Sequence, residues 1–99
     1  MEIKLMINRE EKTFRNDFVS AKMLRKAFGI YDLLRKFENS LIIDDETFNR
    51  INDYFVELYE GQFTAEEFED GLKANEFIDV VIDQLSTVAG VIGEDDSKN

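Results

Sequence analysis

The first residues of the chain alternate between apolar and polar side chains. Ile3, Leu5 and Ile7 fall on every second position, which is the pattern of a strand with one buried face. The polar residues 8–11 favour a turn, and residues 12–18 can return as a second strand. The pattern therefore predicts a short β-strand or a β-hairpin at the start of the chain.

Beyond residue 20 the apolar positions recur at intervals of three and four, and this spacing predicts about four helices. Ser20 and Asn75 are candidate N-terminal caps of the first and fourth helices. Asp44 and Asp45 place acidic side chains at the positive end of the second. The expected fold class is mainly α, of the α+β type: a bundle of about four helices with an N-terminal β element. The expected buried stripes are Leu24, Ala27, Phe28, Tyr31 and Leu34, then Phe48, Ile51, Phe55, Leu58 and Tyr59, and finally Phe77, Ile78, Val81, Ile82, Leu85, Val88, Ala89 and Ile92.

The clearest local signal is the start of the third helix. Thr64 and Glu67 have the spacing of a capping box, in which each side chain bonds the other residue's main-chain N–H. Phe63 and Phe68 occupy the two positions of a hydrophobic staple around that cap. Gly61, just before this motif, is expected to end the second helix.

The length of 99 residues fits one domain. We expect that domain to cover residues 1–93, followed by a disordered acidic tail over residues 94–99. The sequence has no 18-residue apolar run and no signal-peptide pattern. We therefore expect no association with a membrane, and a location in the cytoplasm.

The residue inventory disfavours catalysis. The sequence contains no His and no Cys, which removes the usual general base, the thiol nucleophile and the common metal ligands. Asp79 and Asp83 share a helix face, but they flank an apolar stripe as solvated side chains do. Neither Gly61 nor Gly71, placed at the sixth position of a calcium loop, puts oxygen ligands where that loop needs them. We therefore expect a non-enzymatic protein without cofactor or metal.

Charge is distributed unevenly along the chain. The net charge is −10, yet residues 1–39 carry nine basic and six acidic side chains, whereas residues 40–99 carry three and 16. An acidic protein repels nucleic acid, so we expect no nucleic-acid partner. One interpretation is that the two halves pack against each other within a monomer. The other is self-association, for which Lys22, Arg25 and Lys26 are the candidate residues.

The fourth helix has a wider apolar arc than a one-sided surface helix needs. It either lies centrally in the bundle or leaves part of its surface exposed as a groove for another helix. The residues considered for that exposed part are Val80, Ile82, Val88 and Ile92.

Several segments together form a familiar pattern. The run Phe-Val-Glu-Leu-Tyr ends at Gly61 and is followed by Gln-Phe-Thr-Ala-Glu-Glu at 62–67, Asp-Gly-Leu at 70–72, and an apolar helix that closes between Gly90 and Gly93. With the N-terminal strand and the basic helix before them, these segments resemble the tail assembly chaperones of long-tailed bacteriophages, the siphophages, particularly those of Gram-positive bacteria.

The resemblance implies a role in building the phage tail. Such chaperones bind the long apolar tape measure protein, keep it soluble, help to recruit tail tube subunits and leave before the virion is complete. In many phages a longer form arises by ribosomal frameshifting, and Ser97-Lys98-Asn99 is compatible with a slippery heptamer. The expected partners are therefore the tape measure protein, the major tail tube protein and further copies of the chain, in the host cytoplasm.

The family has no catalytic residues to transfer. We place contact with the tape measure protein on the fourth helix, and self-association on Lys22, Arg25 and Lys26. The alternative is a different class of protein, an acidic regulatory inhibitor that mimics nucleic acid, of the anti-restriction or anti-repressor type. The residues proposed for the tape measure contact are Val81, Ile82, Leu85, Val88 and Ile92.

Overall fold

A β-hairpin and four helices follow one another in the computed structural model, which describes residues 1–38, 40 and 42–90. This confirms the predicted α+β class and the N-terminal β element. No helix in these ranges has the length and hydropathy that a membrane span requires. The elements are β1 (Glu2–Ile7), β2 (Glu10–Arg15), α1 (Ala21–Arg35), α2 (Asp45–Leu58), α3 (Ala65–Asp70) and α4 (Phe77–Val88).

The hairpin is antiparallel and closes through a two-residue turn. Asn8 and Arg9 both have positive φ, 53° and 67°, as a type I′ turn requires, and this turn matches the twist of the two strands. Pairing therefore resumes at Glu10, two residues earlier than expected. The second strand ends at Arg15 because the next residue, Asn16, turns the chain: its Oδ1 accepts the N–H of Phe18 at 2.9 Å.

The starts of α1 and α2 are capped by side chains. The Ser20 hydroxyl accepts the main-chain N–H of Met23 at 3.4 Å, which confirms the predicted cap. Asp44 caps α2 by accepting the N–H of Thr47 at 2.9 Å. The Thr47 hydroxyl first, and then this N–H, lower the pKa of the Asp44 carboxyl. Each cap satisfies a main-chain donor that has no partner within its helix.

The capping box and staple at α3 are confirmed. Thr64 accepts the N–H of Glu67 at 3.0 Å, and the Glu67 carboxylate accepts the N–H of Thr64 at 2.9 Å. The rings of Phe63 and Phe68 stack with their centroids 5.9 Å apart. The predicted cap Asn75 is wrong. Residue 76 precedes α4 in a helical turn conformation and makes no side-chain cap bond, so the chain enters α4 without an extended capping residue.

The core lies where α2 and α3 meet the hairpin, α1 and α4. Phe55 and Phe68 are fully buried and stacked, with ring centroids 4.8 Å apart. Ile3 and Leu5 of β1 join this core, as their alternation predicts. The buried hydrophobic residues are Ile3, Leu5, Met23, Ala27, Ile30, Leu34, Ile51, Tyr54, Phe55, Leu58, Tyr59, Phe63, Phe68, Phe77, Val81 and Leu85.

The predicted stripe of α1 is partly wrong. Ala27 and Leu34 are buried as expected, but Met23 and Ile30 complete the buried face, whereas Phe28 is 56% exposed. Both sets have helical spacing, so the rotation of α1 about its axis is decided by the elements it packs against.

The hairpin is fixed to α3 through the main chain. The carbonyl of Gly71, just after α3, accepts the N–H of Met6 at 3.0 Å. A Cβ on Gly71 would lie 2.7 Å from the carbonyl oxygen of Glu67 and 2.9 Å from Cβ of Leu5. Only glycine allows so close an approach of α3 to β1.

Two amide side chains connect the hairpin to the helices. Buried Asn16 donates from Nδ2 to the carbonyl of Leu58, at 2.6 Å, and so satisfies a carbonyl at the end of α2. Gln84 of α4 accepts the Tyr59 hydroxyl at 2.6 Å and donates from Nε2 to the carbonyl of Glu2 at 2.8 Å. Burial raises the pKa of Tyr59, which keeps the phenol protonated as a donor.

Candidate functional site

Helix α4 has two apolar faces with different surroundings. Val81 and Leu85, one turn apart, point into the core and are 0% exposed. A partner cannot contact these two side chains in this conformation, although the sequence placed both in the tape measure site. Ile82 and Val88 are half-buried, and Ile92 lies outside the described residues. The accessible apolar face of α4 is instead formed by Ile78, 38% exposed, and Ile82.

A groove of about 380 Å³ runs between that face and α1. We call it the α1–α4 groove. The C-terminal half of α1 supplies one wall, and the residues that follow α1 and precede α2 close one end. Arg35, Glu38 and Ser40 place polar groups at its edge. The apolar lining residues are Tyr31, Leu34, Phe37, Ile43, Ile78 and Ile82.

A second depression of about 350 Å³, the α2–α4 groove, lies beside the first. Ile43 and Ile78 line both, so the two grooves form one continuous apolar surface. Ile42, next to this surface in the chain, is 75% exposed. The other residues of the α2–α4 groove are Phe48, Glu69, Leu72, Ala74 and Phe77.

Polar contacts fix the walls of the α1–α4 groove. The hydroxyls of Tyr31 and Ser86 are 2.9 Å apart and join α1 to α4. Arg35 is held by Asp32, with 2.8 Å between Nη2 and Oδ1. On α4, Asp79 and Asp83 are exposed and follow Ile78 and Ile82 in the chain. An apolar surface with an acidic margin can receive the apolar side of another helix while the rest of the protein stays hydrated.

The residues predicted for self-association lie on the other side of α1. Lys26 Nζ is 2.7 Å from Oε1 of Glu57 on α2, and Lys22 Nζ is 3.7 Å from the other carboxylate oxygen. The hydrogen bond from Lys26 is the largest effect on the pKa of Glu57 and lowers it. Desolvation opposes this shift, and the charges of Lys26 and Lys22 add to the lowering of the pKa. Arg25 is exposed. Two of the three residues therefore neutralise an acid within the chain, as the packing interpretation of the charge asymmetry expects.

A more polar depression of about 410 Å³ lies between α1 and α2, next to this ion pair. Its lining includes Asp53, Tyr54 and Glu57. Burial raises the pKa of Tyr54, whose hydroxyl donates to the carbonyl of Met23 at 3.0 Å, so this phenol holds α1 and α2 together. With its pKa lowered, Glu57 is unsuited to act as a general acid at neutral pH. In the part of the chain that the structure describes, no group of three or more acidic side chains could hold a metal ion.

Sequence reasoning missed part of the groove. Phe37 and Ile43 line it from the connection between α1 and α2, and neither belongs to a helical stripe. Their signal was the concentration of apolar residues in that connection, because an apolar connecting segment either packs on the core or contributes to a binding surface.

Comparison with known proteins gives one finding. No curated protein and no solved structure matches the chain. A family model described as phage tail chaperone protein matches residues 1–99. That family is non-enzymatic in kind. Because the match extends over the whole chain, this protein belongs to the phage tail chaperone family.

Proposed function

We propose that this phage tail chaperone acts in the host cytoplasm by binding apolar helical segments of the tape measure protein and keeping them soluble. The α1–α4 groove and the adjoining α2–α4 groove are the binding surface. The observation that supports this proposal is the apolar outer face of α4, where Ile78 is exposed and Ile82 half-buried, beside a groove lined by apolar side chains. A long helical client presents the apolar ridge that such a groove accepts.

The charge of the molecule suits this task. A net charge of −10 repels other copies of the loaded complex and so opposes aggregation of a client with large apolar surfaces. On α4, the acidic residues Asp79 and Asp83 are exposed beside the apolar groove residues. The chaperone thus covers apolar client surface and exposes carboxylates to water.

Co-expression with the tape measure protein of the same phage tests the proposal. The double variant Ile78→Ser/Ile82→Ser removes apolar surface from both grooves, and we expect the tape measure protein to become insoluble. The matched control is Phe18→Ser, because Phe18 is 76% exposed but lines neither groove. We expect this control to keep the client soluble.

The comparison requires that both variants fold, which far-UV circular dichroism and thermal unfolding establish. A folded Ile78→Ser/Ile82→Ser variant that still keeps the client soluble would remove the two grooves from the binding surface. Loss of solubility with Phe18→Ser to the same extent would show that exposed apolar residues act without regard to position.

Recruitment of tail tube subunits is a further part of the proposed role, and it would use a longer form made by frameshifting near residues 97–99. The sequence Ser97-Lys98-Asn99 supports it only through its compatibility with a slippery heptamer. The nucleotide sequence of these codons, together with mass spectrometry of the protein expressed from the whole locus, tests it. The absence of a longer product would contradict the proposal that a longer form of the protein recruits tail tube subunits.

A further inference from the structure

The two edges of the β-hairpin differ in what covers them. Met1 and Asn16 exchange both main-chain hydrogen bonds, at 3.0 Å each, which fixes the alternation of the ladder. Odd-numbered residues of β1 and even-numbered residues of β2 therefore bond to each other. The remaining residues, even in β1 and odd in β2, direct their N–H and C=O groups outward.

The outer edge of β1 is covered by the rest of the molecule. The Met6 N–H donates to the carbonyl of Gly71, and the Glu2 carbonyl accepts from Gln84 Nε2. These contacts occupy both ends of the strand, so no further strand can pair with it without displacing α3 and α4.

The outer edge of β2 is open at its centre. The carbonyl of Arg15 accepts a hydrogen bond from Gln62 Nε2 at 2.8 Å. For the outward N–H and C=O groups of Glu11 and Thr13, the described residues supply no partner. Both side chains are also exposed. Such an edge is a template for another strand unless its side chains oppose pairing.

We propose that a second copy of this chain pairs with β2 along this edge, antiparallel, with the two-fold axis at Thr13. The two hairpins then form one four-stranded sheet. In this arrangement Thr13 faces Thr13 of the second copy. Glu11 faces Arg15 of the second copy, and the Glu11 N–H replaces the Gln62 side chain as the donor to the Arg15 carbonyl. The interface is isologous, and it does not use the grooves or Lys22, Arg25 and Lys26.

Charge favours this register over those with the axis at Lys12 or at Glu11. With the axis at Thr13, each Arg15 lies between Glu2 of its own chain, 3.0 Å away, and Glu11 of the second copy. On the other side of the sheet, Lys12 faces half-buried Phe14 of the second copy and its aliphatic stem can cover the ring. An axis at Lys12 would set two lysines opposite each other, and an axis at Glu11 two glutamates, both of which are unfavourable.

The first experiment blocks the edge. Replacing Thr13 with Pro removes an outward N–H that makes no bond to β1, so the hairpin keeps its ladder while the edge loses a central donor. Sedimentation equilibrium over a concentration series should show a dimer for the wild-type protein and for the control Thr13→Val, and a monomer for Thr13→Pro. A monomeric wild-type protein would overturn the proposal, as would a Thr13→Pro variant that dimerises like the wild type.

The second experiment fixes the register by cross-linking, which is straightforward because the chain has no cysteine. Cα atoms of residues opposite each other in a hydrogen-bonded antiparallel pair are about 5.5 Å apart, within disulfide range. We therefore expect Thr13→Cys to form a disulfide-linked dimer under mild oxidation. Lys4→Cys, on the same face of the hairpin but on β1, would be about three strand spacings, roughly 14 Å, from its symmetry mate and should remain monomeric. Equal cross-linking of the two variants would contradict the register.

The third experiment tests the charge pairing. Glu11→Lys places a base opposite Arg15 of the second copy and should shift the equilibrium towards monomer, whereas Glu10→Lys, whose outward neighbour in the proposed register is the neutral Asn16, should have the smaller effect. An unchanged equilibrium in Glu11→Lys would contradict the register. Because the grooves are untouched, solubilisation of the tape measure protein by a monomeric Thr13→Pro variant separates this proposal from the proposed function.

Discussion

The side of the molecule where α3 meets β1 and the side where α1 meets α4 are packed in different ways. On the first, Gly71 brings main chain against main chain, and a Cβ added there would lie 2.9 Å from Cβ of Leu5 and 3.2 Å from the main-chain nitrogen of Met6. On the second, apolar side chains of α1 and α4 leave a groove between them. Gly29 is exposed on α1 outside this groove, and a Cβ added there would meet nothing within 4 Å. The first side fixes the fold, and the second has room for another molecule.

Helix α4 takes part in both kinds of packing, so the largest expected effect comes from comparing its two faces. Leu85→Ala empties a fully buried position and should lower the free energy of unfolding by about 2–5 kcal/mol. Ile82→Ala, at a half-buried groove position, should cost about 1 kcal/mol. Urea unfolding of both variants measures the two values. Equal costs would mean that the groove wall is packed as tightly as the core.

The next effect comes from the two glycines. Gly71→Ala must displace Leu5 or the end of α3, and we expect a loss of about 1–3 kcal/mol. Gly29→Ala should instead stabilise the protein by about 0.5–1 kcal/mol, because an open helical position gains helix propensity. Thermal unfolding gives the sign of each change. A stabilising Gly71→Ala would show that α3 does not need its close approach to β1.

The smallest effect concerns the ion pair that joins α1 to α2. The pKa of Glu57 is lowered from its usual 4.5, so the pair stabilises the fold above that pH and the contribution is lost as the pH falls through the lower folded-state value. Both partners are exposed, which limits the contribution to a few tenths of a kcal/mol. Glu57→Gln should therefore unfold slightly more easily than the wild type at neutral pH, and the two should become equal in acid. Chemical unfolding at both pH values checks the sign.

Signals that lie close together in the sequence predicted local structure well. The cap of Ser20 and the capping box of Thr64 and Glu67 are formed by residues three apart, so their geometry depends little on the rest of the molecule. The prediction for Asn75 failed because α4 begins only at Phe77, and the residue before it, Glu76, has a helical rather than an extended main chain and makes no side-chain cap bond. Residue type alone does not determine that conformation.

Features of the structure that depend on contacts between distant residues were predicted less well. The apolar arc of α4 indicated a helix with more than one apolar face, but not that Val81 and Leu85 would be the inner pair and Ile78 and Ile82 the outer one. That assignment is set by the rotation of α4 about its own axis, which its packing against α1 determines. Phe28 illustrates the same limit on α1, where two stripes fit the spacing and the packing selects the other.

The side-chain amide of Gln84 determines which wall of the α1–α4 groove can move when a large client segment binds. Its oxygen and nitrogen are both engaged, with Tyr59 on one side and the first strand on the other, so α4 is tied at mid-length to two elements of the core. The opposite wall, the second half of α1, is joined to α4 by the hydroxyl contact between Tyr31 and Ser86. If the α1–α4 groove widens to admit a larger helix, α4 therefore stays in place and the second half of α1 moves.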